Sequence, residues 1–164
     1  MQVSGGWFCD PPGMGIGITA FLADSAEAVN GKLYVLGAGW DQLVVSSLPA
    51  VQQRVALGVL LQVGWNDTDV EHDVTLRLET EDGAPVLLAR NVPGAPPGTA
   101  VAAIGHRFTA GRSALVRAGD AQTLPVTFTI NDLLLERVGG YSWVIEVDGE
   151  IARRLPMRVM QHAG

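Results

Sequence analysis

The amino-acid sequence predicts an all-β chain: a two-sheet antiparallel sandwich of eight or nine strands with little helix. Three observations carry this expectation. First, an alternating apolar strand, an Asp-Gly and a second alternating strand follow one another twice, around Asp82-Gly83 and around Asp148-Gly149. Asp-Gly between segments of period two is a strong short-range hairpin signal. Second, Val55, Leu57, Val59, Leu61 and Val63 set branched apolar side chains on one face of a single run, and Leu124, Val126, Phe128 and Ile130 do so again. Third, strands that are apolar on one side need another sheet to cover them.

The elements follow in order. Ile16, Ile18, Ala20 and Leu22 alternate as a first strand, and Ser25 to Asn30 reads as a loop or short turn, with Asn30-Gly31 as a turn dipeptide. Leu33 to Gly39 is a second strand, expected to run on through Leu43 to Val45, with Gly37 and Gly39 marking a bulge or a close backbone approach. After Leu48-Pro49 comes the Val55–Val63 core strand. In the first hairpin a three-residue loop, Glu81-Asp82-Gly83, sets Leu78 opposite Val86 and Leu76 opposite Leu88, and asks a left-handed conformation of Gly83.

Pro93 to Gly98 is an irregular crossover, because proline cannot donate to a ladder. Val101 to Phe108 is a strand, and Gly111 to Gln122 a loop or one helical turn. The Thr-rich strand from Leu124 to Ile130 leads into a connector, Asn131 to Val138, that could coil into a short helix. In the second hairpin the same construction, with Val147-Asp148-Gly149 as the loop, sets Ile145 opposite Ile151 and Trp143 opposite Arg153, with Trp143 on the inward face. Gly140-Tyr141 at the start of the penultimate strand resembles the tyrosine corner of immunoglobulin-like sandwiches, so that topology or a related Greek key is expected.

At 164 residues, 48% hydrophobic and 17% charged, the chain suits one globular domain. The expected division is a Gly/Pro-rich arm at 1–15, a sandwich domain at 16–160 and a tail at 161–164. A net charge of −6, with ten Arg and one Lys scattered and forming no run, argues against a nucleic-acid partner. No run reaches the roughly 20 apolar residues that span a bilayer, and residues 1–15 lack a basic signal region. Cys9 is the only cysteine, which excludes an internal disulfide and a multi-cysteine zinc site. A cytoplasmic location is therefore expected.

Several stretches resemble a known family: Ala20-Phe21-Leu22-Ala23-Asp24, Gly31-Lys32-Leu33, Leu36-Gly37, Trp40-Asp41 and Leu48-Pro49, then Gly140-Tyr141, Asp148-Gly149-Glu150 and Leu155-Pro156. The family comprises small bacterial proteins, mainly actinobacterial, known only as a domain of unknown function. The resemblance spans Ile16 to Val159. It implies a β-sandwich and brings no activity with it.

No catalytic constellation is legible. His72, His106 and His162 are not spaced as metal ligands, and His72 is expected to be an exposed residue at a strand start. Asp67, Asp69 and Glu71 alternate as calcium ligands can, but without the glycine and terminal glutamate of the twelve-residue loop they read as a solvated connection. Asp24 and Asp41 read as turn residues. Cys9 lacks a platform for a nucleophile, there is no Gly-x-Ser-x-Gly elbow, and Gly13-Met14-Gly15-Ile16-Gly17 lacks the lysine of a phosphate loop. No enzyme activity, cofactor or metal is expected.

The leading expectation is a noncatalytic protein-interaction or assembly module, acting on a protein partner or as a homo-oligomer. Trp7 and Phe8 would serve as an anchor, and Trp40, Asp41 and Trp65 as further contacts. The alternative is a small-ligand binder, with carbohydrate as the candidate ligand, that stacks sugar rings on Trp40 and Trp65.

Overall fold

Backbone pairing sets the architecture. The computed structural model describes residues 16–90 and 94–162, and over these the chain is all-β, with a 3-10 turn at Trp65–Asp67 and no α-helix. The two longest strands, β5 (Ala50–Val63) and β11 (Gln122–Leu135), pair antiparallel, and β1 (Gly17–Ala23) lies on the other side of β5. A six-stranded sheet has the order β10 (Ala103–Thr109), β6 (Glu71–Thr80), β12 (Gly139–Val147), β13 (Glu150–Gln161) and β4 (Gln42–Val45), with β7 (Pro85–Val86) also on β6. Two ribbons complete the structure, β2 (Ser25–Val29) with β3 (Lys32–Leu36), and β8 (Ala89–Arg90) with β9 (Ala100–Val101). Every pairing is antiparallel except that of β4 with β13.

The alternating residues of both large sheets meet in one core. Val55, Leu57, Val59, Leu61 and Val63 of β5 are fully buried, as are Val74, Leu76 and Leu78 of β6 and Trp143 and Ile145 of β12. Each such side chain contributes about 1.5–3 kcal/mol relative to exposure, so the pattern of period two is the main force aligning the sheets. The outer face of β5 is covered as well. The β2–β3 ribbon lies against it at Gly58, where an added Cβ would sit 2.6 Å from a Phe21 ring carbon and 3.1 Å from Leu33 Cδ2. Only glycine admits the ribbon this closely. On the outer face of the larger sheet Val144 is also fully buried. Its cross-strand neighbours Arg77 and Arg154 are both held by Glu79, at 2.9 Å each, and their aliphatic stems shield the valine.

The structure departs from the sequence expectations at named elements. Thirteen strand segments are present among the described residues, in four sheets, where eight or nine strands in two sheets are expected. Ser25–Val29 is a strand and not a loop: Asn30 and Gly31, with φ of 51° and 70°, form a two-residue turn that folds it onto β3. The second strand does not run through to Val45; it ends at Leu36, and β4 belongs to the other sheet. Between them, Gly37 and Gly39 have positive φ. The segment Asn131–Leu135 continues β11 and does not form a helix. Asp132, at φ 54°, switches the strand's faces so that Leu133 and Leu135 are buried.

The first hairpin has the expected Leu78–Val86 pair and a left-handed Gly83, but Leu76 faces Ile104 of β10, and not Leu88. The second hairpin closes with the two-residue loop Asp148-Gly149, pairing Val147 with Glu150. A bulge after Glu146–Ile151 restores the buried face, so Trp143 lies opposite Leu155 and Ile145 opposite Arg153.

Candidate functional site

Three connections meet at one end of the molecule: residues 64–70 between β5 and β6, residues 110–121 between β10 and β11, and the Asp148-Gly149 turn. In the first, the Thr68 hydroxyl donates to the Trp65 carbonyl at 2.7 Å, closing the 3-10 turn. Arg112 reaches in from the second. Its Nε and Nη2 donate to Thr68 Oγ1 at 2.9 and 2.7 Å, and Nη2 also donates to the Trp65 carbonyl at 2.8 Å. The guanidinium lies 4.1 Å from the centroid of the Trp65 ring, within cation–π range. The loops are joined a second time through Asp69, whose carboxylate accepts the Arg112 amide at 2.9 Å and whose own amide donates to the Ala110 carbonyl at 2.9 Å. Thr68 is 3% exposed, and its hydroxyl has one donor and two acceptor positions filled.

His72 ties the first connection to the third. Contrary to the expectation of an exposed residue, it is only 7% exposed. Its Nδ1 lies 2.8 Å from Asp148 Oδ2 and its Nε2 lies 2.8 Å from the Asp67 carbonyl, while Phe108 stacks on the ring at a centroid distance of 5.4 Å. Asp148 is in turn fixed to β6, since Oδ1 accepts the Asp73 amide at 3.0 Å and the Asp148 amide donates to the Asp73 carbonyl at 2.9 Å.

A carboxylate and a carbonyl can only accept, so both contacts are hydrogen bonds at once only when both ring nitrogens donate, in the imidazolium form. Burial opposes that charge. The Asp148 hydrogen bond, the Asp67 carbonyl and the charges of both aspartates outweigh it, and the His72 pKa is raised above 6.5. The His72 hydrogen bond lowers the Asp148 pKa in return, against a smaller opposing effect of burial. The His–Asp pair has the elements of an acid–base dyad, but its second nitrogen is occupied by main chain, which leaves the imidazole no free position for a substrate.

The other sequence candidates lie elsewhere. Trp65 is half-buried under Arg112. Trp40 is half-buried against the core, its indole nitrogen enclosed, and Asp41 is exposed. The Asp41 carbonyl accepts the Arg158 amide at 2.8 Å, and Arg158 pairs with Gly140 at the start of β12. Since Asp148 follows the end of β12, Trp40 and Trp65 lie at opposite ends of a strand of about 25 Å, and the two rings share no surface. At the Trp40 end are a groove of about 390 Å³ between Ala84–Leu87 and Leu134–Arg137, and a cleft of about 210 Å³ lined by Asp41, Tyr141 and Arg158. Trp7, Phe8 and Cys9 lie outside the described residues.

Sequence reasoning missed Arg112, Thr68 and the bond from His72 to Asp148. The last two residues are 76 positions apart, and only the register of β6 against β12 brings them together. Among the described residues no group of three or more His, Cys, Asp or Glu is placed to hold a metal ion, and no helix is long and apolar enough to cross a membrane. No curated protein matches the chain. Residues 18–160 match the sequence profile of a family of unknown function, DUF6941, and the chain belongs to that family.

Proposed function

We propose that this protein is a noncatalytic interaction module of immunoglobulin-like topology that engages a protein partner through its loop end. The strand orders β1-β5-β11 and β10-β6-β12-β13-β4, with β4 parallel to β13, support that topology. So does Tyr141, whose hydroxyl donates to the Arg137 carbonyl at 2.8 Å, as in a tyrosine corner. Two residues on, where antibody domains carry their second cysteine, stands the buried Trp143.

The observation that carries the functional reading is the locking of three connections to one another by Arg112 and His72. A surface whose loops are already ordered loses little entropy on binding. This one presents Val70, 51% exposed, and Leu115, 94% exposed, beside the Trp65–Arg112 stack. Apolar residues on a rigid, polar-rimmed platform suit a protein partner, which includes a second copy of the chain. A single cysteine and ionic loop ties favour a reducing, cytoplasmic setting.

A photo-crosslinking residue at position 115, compared with one at the exposed Gln53 of the opposite end, tests this in the native cell. A discrete protein adduct from 115 and none from 53 is expected. Equal labelling from both positions overturns it. Glycan binding lost in Trp65→Ala would transfer the surface to a carbohydrate ligand.

A further inference from the structure

We propose that His72 is a proton-operated tie, so that the conformation of the 64–70 connection, and with it the loop-end surface, responds to pH. The proposal deepens the binding reading above and rests on it only for biological use, because the tie itself can be observed without any partner.

The groups around the imidazole define the device. Asp148 faces it from the β12–β13 turn, and Asp67 faces it from the 3-10 turn through its carbonyl and its charge. Phe108 of β10 supplies an uncharged wall. On its own strand, Glu71 and Asp73 are exposed and both pair with Arg107 of β10, at 3.8 and 3.2 Å. Arg112 is engaged with Asp69, Thr68 and Trp65. No acceptor-to-donor exchange is available at either ring nitrogen, since both partners only accept.

Loss of one proton therefore sets a nitrogen lone pair against an oxygen in a nearly closed site, where an unpaired polar contact is costly. The remaining N–H stays with the carboxylate, because a hydrogen bond to a charged acceptor is the stronger of the two. The bond that fails is the one to the Asp67 carbonyl. The 3-10 turn is released on that side while Asp148 stays fixed to Asp73, so the response is directional: residues 65–69 move and the Asp148-Gly149 turn does not. In the protonated state the first connection is held from two sides, by His72 and by the 110–121 connection; in the neutral state only the latter holds it, through Arg112 and the Ala110 carbonyl.

NMR of the full chain tests this over about pH 5 to about pH 9, a range bracketing the ordinary histidine value. The His72 ring nitrogens report protonation, and backbone amides report each loop. The expected result is a His72 midpoint above 6.5, the unperturbed value. Amides 67–69 should follow the same midpoint, with much smaller changes at Asp148 and Gly149. In His72→Gln that shared titration disappears. Asp148→Asn, which retains an acceptor for the Asp73 amide, moves the His72 midpoint downward and keeps the coupling. Titration of native His72 below 6.5 overturns the proposal. So does an unchanged pH response of amides 67–69 in His72→Gln, or a midpoint unmoved in Asp148→Asn. Each readout is independent of partner binding, so failure of the tie and failure of the binding surface are separately visible.

Discussion

Thr68 shows how much one buried hydroxyl can organise. It donates to Trp65 and accepts twice from Arg112. Thr68→Val keeps the shape and removes all three bonds, leaving charged donors short of a partner, so a loss of about 1–3 kcal/mol is expected by denaturant unfolding. Thr68→Ser should recover most of it. Tyr141→Phe removes one neutral hydrogen bond and should cost about 1 kcal/mol in the same measurement. The His72–Asp148 pair gives stability a defined pH window. The raised His72 pKa makes its contribution full below 6.5 and lost as pH rises through the folded value. The lowered Asp148 pKa makes its contribution full above 3.8 and lost as pH falls through the folded value. The pair therefore stabilises most between 3.8 and 6.5, and a plot of the native stability minus that of His72→Phe against pH should show a plateau there. A flat difference would remove the pair from the account. None of this was legible locally, because Glu71-His72-Asp73 reads as a solvated strand start whatever lies across the sheet.

The elements divide into those that sequence periodicity identifies and those that tertiary contact creates. The β5, β6, β11 and β12 cores follow directly from alternation, because their inward residues are branched or aromatic. By contrast Ser25-Ala26-Glu27-Ala28-Val29 carries little β preference; its strand exists because Asn30-Gly31 turns it back and Gly58 lets the ribbon settle on β5. Gly58→Val should displace Phe21 and Leu33 and cost about 1–3 kcal/mol, as overpacking does, with faster amide exchange in β2 and β3 as the specific sign. At Gly37 an added Cβ would lie 2.2 Å from Asp24 Oδ2 at a φ of 63°, so Gly37→Ala should loosen the same ribbon from its other end. The second hairpin escaped the sequence argument for a related reason. The face rule assumed an unbroken strand, whereas two bonds between Asp148 and Asp73 hold a tighter loop and a bulge absorbs the mismatch.

At the scale of the molecule, the candidate surface and the grooves lie at opposite ends, separated by the length of β12. The approximate architecture was legible because each sheet buries one face. The parallel pairing of β4 and β13 was not, since a four-residue strand offers almost no periodicity and its partner lies more than a hundred residues away. That pairing has a mechanical consequence. A pull on the two chain ends first peels β1 from β5 and then loads β4 against β13 along their common direction. Parallel neighbours drawn from opposite ends slide past one another, so the bonds from the Arg158 amide to the Asp41 carbonyl and from the His162 amide to the Val45 carbonyl must yield together and not in turn. Under tension the four-residue edge strand of the large sheet becomes the clasp that decides when the domain gives way.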